Sequence, residues 1–257
     1  MLPNPIFTFM GVSVHMYGVM IAIGILCAFG VIIFYGKWLG HSEKFTDFIF
    51  FNGIGAIFVG FGSAALFQAF YDFIEDPSKG FRITGSITFL GGLIGGAAFF
   101  LLVWYFMRRR VDGSLADILA LVPCAITVGH GFGRIGCFFA GCCYGKVTDS
   151  FLGVKFPGLA HPVHPTQLYE AAFLFILFGV LTYLLLKKKF RHGMTVYLIA
   201  YGIFRFLNEF LRGDHRGELV TGISPSQFWS LLFPVAGIAV FFLVRRLDKK
   251  KEPASEA

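Results

Sequence analysis

Long apolar runs separated by short charged clusters set the pattern of this chain. Uncharged stretches extend from Met16 to Gly36, Phe48 to Tyr71, Ile83 to Met107, Ile118 to Gly133, Ala171 to Leu186, Met194 to Phe204 and Leu219 to Val244. A bilayer core of roughly 30 Å needs about 20 apolar residues in a helix, because lipid offers backbone amides no partners. The fourth and sixth stretches are cut short by Arg134 and Arg205. Continuing through those arginines restores a spanning length, with the helices ending near Gly141 and Leu211. The pattern predicts an all-α polytopic membrane protein of about seven transmembrane helices.

The loops give that bundle a direction, since Lys and Arg are retained on the cytoplasmic side. Basic groups follow the first, third, fifth and seventh runs: Lys37 with Lys44, Arg108-Arg109-Arg110, Lys187-Lys188-Lys189 with Arg191, and Arg245-Arg246 with Lys249-Lys250-Lys251. The alternate loops are mixed or acidic, with Asp72, Glu75 and Asp76 against Lys79 and Arg82, and Arg212, Asp214, Arg216 and Glu218 after the sixth run. The N-terminus is expected outside and the C-terminus in the cytoplasm. Residues 1–248 form one seven-helix domain in this reading, and 249–257, polar with Pro253 and Ser255, form a short disordered tail. No Lys or Arg precedes the first run, which also outlasts a signal-peptide core, so no cleavable signal is expected. No internal repeat supports an inverted-repeat transporter.

Composition agrees. With 56% apolar and 18% aromatic residues, 34 of them Phe, against 14% charged, a water-soluble core could not enclose the apolar side chains. The net charge of +7 sits in clusters beside apolar runs, which fits membrane anchoring better than nucleic-acid binding.

Ionisable residues within a span are costly and by default face the bundle interior or a wet cavity. Arg134 lies in Gly131-Phe132-Gly133-Arg134-Ile135-Gly136, and Arg205 precedes Glu209 and Arg212 on one helix face. Both arginines fall in the outer halves of their spans. Their forked guanidinium matches phosphate oxygens, and a phospholipid phosphate is the anion at that depth; snorkelling or structural pairing is the competing explanation. On the same side, His164, Pro165 and Thr166 open the fifth span, with Thr166 a candidate cap and Glu170 one turn inside. Simple capping and interfacial anchoring compete with a functional role for His164 and Glu170. Tyr17 opens the first span, where an aromatic-belt position is the plain alternative. Three of the five cysteines, Cys137, Cys142 and Cys143, lie in Gly136–Gly145. Their spacing matches no paired zinc pattern. A disulfide from Cys137 to Cys142 or Cys143, a buried structural role, and a nucleophilic role with His130 as nearby base all remain open.

These residues resemble the prolipoprotein diacylglyceryl transferase family along nearly the whole chain. Tyr17-Gly18 resembles its early Tyr-Gly, Phe89-Leu90-Gly91-Gly92-Leu93-Ile94-Gly95 its His-Gly-Gly-Leu-Ile-Gly segment, and Gly133-Arg134-Ile135-Gly136-Cys137-Phe138 its Gly-Arg-x-Gly-Asn-Phe signature. His164-Pro165-Thr166-Gln167-Leu168-Tyr169-Glu170 resembles His-Pro-Ser/Thr-Gln-Leu-Tyr-Glu, and Tyr201-Gly202-Ile203-Phe204-Arg205 with Glu209, Phe210 and Arg212 resembles the arginine-bearing sixth span.

The resemblance implies transfer of the diacylglyceryl group of phosphatidylglycerol to the lipobox cysteine of a prolipoprotein signal peptide, releasing glycerol phosphate, at the extracytoplasmic side of a bacterial inner membrane. It implies no metal or other cofactor and no nucleic-acid partner. Arg134, Arg205, Tyr17, His130 and Cys142 are the catalytic candidates. Arg134 and Arg205 with Gly91, Gly92, Cys137, Gly145, His164, Glu170, Glu209 and Arg212 are the substrate-binding candidates. Three positions depart from the family pattern: Leu90 stands for its histidine, Cys137 for its asparagine and Cys142 for its acidic residue. A related transferase with another acceptor, or a phospholipid-binding or transport protein, are the competing functions.

Overall fold

Seven apolar runs become seven α-helices in a computed structural model that describes residues 5–9, 12–83, 88–213 and 224–249. They are α1 (Met16–Trp38), α2 (Glu43–Glu75), α3 (Phe89–Met107), α4 (Leu115–Ala140), α5 (Thr166–Lys188), α6 (Gly193–Glu209) and α7 (Pro225–Lys249). Two short strands, β1 (Phe7–Phe9) and β2 (Val12–Val14), pair antiparallel ahead of α1, with Phe7 opposite Val14. The chain is all-α as expected, with this short strand pair as its one named sheet among the described residues.

Helix ends differ from the uncharged windows for a physical reason. A charge ends the part of a helix that lipid tolerates, but not the helix itself. α2 begins at Glu43, where Ser42 caps it by accepting from the Phe45 amide at 3.2 Å, and runs 33 residues. At 1.5 Å per residue that is about 50 Å, longer than a bilayer core. α4 likewise starts before Ile118 and carries Asp117, which Arg191 pairs at 3.0 Å. α6 stops at Glu209 and has 17 residues, about 26 Å. Among the described residues, five helices are long and apolar enough to cross a membrane: Met16–Trp38, Glu43–Ile74, Leu115–Ala140, Thr166–Lys188 and Ser226–Lys249. The start of the seventh apolar run, the loop charges Asp214, Arg216 and Glu218, and the tail beyond Lys249 lie outside the described residues.

The helices fall into two compact units. In the unit of residues 36–114, α2 and α3 form a hairpin whose seam is made of small residues. A Cβ on Gly96 would lie 2.9 Å from the Ala56 carbonyl oxygen, and one on Gly60 would lie 3.1 Å from that of Gly92. Backbone thus meets backbone, as in small-residue membrane helix pairs.

The other unit combines residues 1–35 with 115–257. α4 is its most enclosed helix, with 61% of its span window buried against 17% for α1. α5, α6 and α7 pack against α4. α1 approaches α4 through Gly24 and Gly129, where a Cβ on Gly24 would meet the Gly129 oxygen at 2.8 Å. At one end Arg191, in the α5–α6 turn, also reaches Asp248 of α7 at 2.9 Å and so ties three elements together.

Candidate active site

At the other end of this unit, α4, α5 and α6 each bring polar side chains to one buried carboxylate. Glu170 is 1% exposed in the first turns of α5. Its Oε1 accepts from Tyr201 of α6 at 2.8 Å, lies 3.0 Å from Arg134 Nε of α4, and is 3.6 Å from His130 Nε2. Arg134 Nε also donates to His130 Nε2 at 3.3 Å, one helical turn away. The imidazole therefore acts as acceptor toward the guanidinium and packs edge-on against the Tyr201 ring, 5.2 Å between centroids. Burying a carboxylate demands an opposite charge and hydrogen bonds, and Glu170 has both.

One turn along α6 from Tyr201 comes Arg205, whose Nη2 pairs with Glu209 Oε2 at 2.8 Å and donates to Ser226 of α7 at 2.6 Å. Ser224 donates to the other Glu209 oxygen at 3.1 Å, and Arg212 Nε lies 3.9 Å from Oε2. Arg205 Nη1 is buried and has no hydrogen-bond partner among the described residues. Arg134 with Glu170 and Arg205 with Glu209 thus form two ion pairs, and Tyr201, which bonds Glu170, lies one turn from Arg205 on α6.

The turn after α4 forms the third wall. Gly141 and Cys143 both adopt the left-handed conformation, with φ of 69° and 65°, and reverse the chain over the last helical turn. Gln167 donates to the Cys142 carbonyl at 2.5 Å and Thr166 to that of Cys143 at 2.8 Å. Thr166 is thus not the cap expected for α5; its hydroxyl holds this turn instead. Gly145 bonds the His164 carbonyl at 2.8 Å and bridges to Arg212. Any Cβ there would overlap the Leu211 carbonyl oxygen and come within 2.8 Å of His164 Cβ. No disulfide joins the cysteines, and the sulfurs of Cys137, Cys142 and Cys143 lie within 4.8 Å of one another. Hydrogen bonds from the Cys137 and Cys142 thiols, and then from Arg212, hold the Cys143 thiol below its ordinary range.

Tyr17 opens α1, with its ring against Gly136 of α4 and in electrostatic reach of Arg134 and the three thiols. His164 is half-buried before α5 and exchanges a hydrogen bond with Tyr169 at 3.1 Å. Gly91 and Gly92 lie in the α2–α3 hairpin, where Gly91 packs on Phe67 and its carbonyl accepts from Ser63 at 2.8 Å. The backbone of Leu90 is helical; its side chain lies outside the described atoms. Tyr201 and Ser226 join these candidates only in the structure, through their bonds to Glu170 and Arg205. Tyr197, Tyr201, Arg205 and Glu209 recur every four residues on α6, so the arginine face continues one turn back to Tyr201.

Membrane-length helices that bring Arg134 of α4 to buried Glu170 of α5 define a multi-pass membrane protein with a buried ionic site. A sequence model for the family described as prolipoprotein diacylglyceryl transferase matches residues 4–243. The chain is 36% identical over 250 residues to the phosphatidylglycerol–prolipoprotein diacylglyceryl transferase of Clostridium tetani, covering 93% of this chain and 97% of that one. It is 33% identical over 252 residues to the second such transferase of Clostridium perfringens, covering 94% and 95%. With the Pseudoalteromonas atlantica transferase it shares 35% identity over 267 residues, covering 96% and 91%. The chain belongs to the prolipoprotein diacylglyceryl transferase family.

Proposed function

We propose that the protein transfers the diacylglyceryl group of phosphatidylglycerol to the lipobox cysteine in the signal peptide of a prolipoprotein, with Arg134 and Arg205 holding the phosphate. Membership of a family whose relatives bear that activity in their names carries the reaction. The pairing of Arg134 with buried Glu170, and the buried Arg205 donor that has no partner among the described residues, support the site.

The substrate thiolate attacks the glycerol carbon of the phosphate ester, a C–S bond forms, the C–O bond breaks and glycerol phosphate leaves. The phosphodiester's single negative charge becomes that of a monoester, so charge develops on the phosphate oxygens. Guanidinium donors fixed at that position stabilise the transition state more than the ground state. Arginine has five N–H donors. In Arg134 the Nε donor is engaged by Glu170 and His130, which leaves the Nη edge for an anion. In Arg205 the buried Nη1 lacks a partner among the described residues, and buried donors are normally satisfied. A phosphate oxygen supplies one. Glu170 and Glu209 set the guanidinium planes, Tyr201 fixes Glu170, and His130 orients Arg134 from behind. Tyr17 borders the same space.

The seven helices all traverse a bacterial inner membrane in this reading, with the N-terminus outside, the C-terminus in the cytoplasm and the ionic site toward the outer face. α6 is shorter than the bilayer core is thick, which suits a helix whose polar end opens to the lipid headgroup region.

The test is complementation of a strain depleted of its own transferase, with mass spectrometry of a lipobox peptide. The parent chain is expected to add a diacylglyceryl mass. Arg134→Gln and Arg205→Gln are each expected to cut transfer by about 100-fold or more. A correctly inserted protein that leaves the peptide unmodified overturns the reading.

A further inference from the structure

We infer that Cys137, Cys142 and Cys143 form a three-thiolate site for a soft metal cation, Zn2+ or Cu+. This goes beyond the transfer reaction and does not rest on it. The three sulfurs already lie within 4.8 Å of one another. A Zn–S bond of about 2.3 Å places tetrahedral sulfur neighbours about 3.8 Å apart, so closing the site asks each pair of sulfurs to approach by about 1 Å or less.

The spacing pattern hides this cluster, because two cysteines are adjacent and no distant pair completes a familiar motif. The backbone builds it instead. Left-handed Gly141 and Cys143 fold the chain back over the last turn of α4, bringing Cys142 and Cys143 to Cys137. The carbonyls of both turn cysteines are held from α5 by Gln167 and Thr166, and Gly145 is clamped between Leu211 and His164. The ligands are therefore placed before any ion arrives.

Ligand chemistry selects the cation. Thiolates favour Cu+ and Zn2+ over the hard cations Mg2+ and Ca2+, which require oxygen donors. Among the described residues no carboxylate or histidine joins the cluster. Three sulfurs would enclose Cu+ and leave one position on Zn2+ for water. Cys142 is exposed and gives the ion an approach from solvent. Binding transfers up to three thiol protons to solvent and changes no oxidation state.

The full chain, purified in detergent under anaerobic reducing conditions, is titrated in separate arms with Zn2+ and with Cu+, each against a chromophoric competitor. Native mass spectrometry counts bound ions, and maleimide labelling counts accessible thiols. One ion per chain in either arm is expected, with Cys142 and Cys143 protected from maleimide. Cys142→Ser and Cys143→Ser are expected to weaken binding at least tenfold, whereas Cys27→Ser, in α1, leaves it unchanged. Thiol protection in the parent chain provides a readout independent of how the variants fold. Failure of both ions to bind while all three thiols titrate as reduced overturns the inference. So does isolation of a disulfide within the cluster that persists under reduction, or unchanged affinity in both serine variants.

Discussion

Glu170 is one carboxylate with three claims on it: the guanidinium of Arg134, the hydroxyl of Tyr201 and the ring of His130. Glu170→Gln preserves shape and leaves an oxygen for Tyr201, but strands the Arg134 charge beside a neutral amide. Removing one partner of a buried pair costs roughly 3–5 kcal/mol. The variant is expected to lose thermal stability in detergent by scanning fluorimetry, and to retain little transfer activity. Tyr201→Phe removes one hydrogen bond to a charged group, worth about 1.5–3 kcal/mol, and should fall between the parent and Glu170→Gln in both measurements. Equal stability of all three would deny Glu170 its place in the cluster. The arginines were legible in the sequence because a charge in an apolar run is rare and needs a reason. Tyr201 is harder to read, since a tyrosine in an apolar helix looks like any packed aromatic until its partner, 31 residues away in the chain, is known. The sulfur cluster was illegible for a different reason: it depends on two left-handed backbone conformations, one of them at a residue other than glycine.

At the level of elements, hydropathy located all seven helices, while their ends followed rules that hydropathy does not contain. Asp117 continues α4 because Arg191 neutralises it, and Glu43 starts α2 because Ser42 caps it. Thr166 looked like a cap by composition, yet tertiary contact gave its hydroxyl to Cys143. The α2–α3 hairpin yields a clean prediction. Gly96→Leu drives a side chain into the Ala56 carbonyl and should separate the pair, lowering the detergent melting temperature by several degrees. Gly62→Leu, on the same hairpin with nothing within 4 Å of its Cβ position, should leave the temperature unchanged. The comparison separates close helix approach from a general effect of bulk, and equal shifts would deny the seam its role.

For the whole molecule, the proposed orientation places the Arg191 clamp with Asp117 and Asp248 at the cytoplasmic ends of its helices, and the Glu170 cluster toward the opposite face. A fluorescent reporter that matures only in the cytoplasm should be bright when fused after Ala257. A phosphatase reporter that needs an oxidising compartment should be active in the 146–162 loop and inactive in the 108–114 loop. The reverse pattern would invert the topology and move the site to the wrong side for an exported acceptor.

The unequal enclosure of the helices has a further consequence. Acyl chains flow around whatever side chain faces them, so on the outward faces of α1, α2 and α7 one apolar residue serves nearly as well as another. α4 has protein on most sides, and there shape matters as well as polarity. A library of conservative apolar swaps should therefore thin out along α4 and survive on the outward faces of α1, α2 and α7, so that tolerance to change becomes a chart of where the protein ends and the membrane begins.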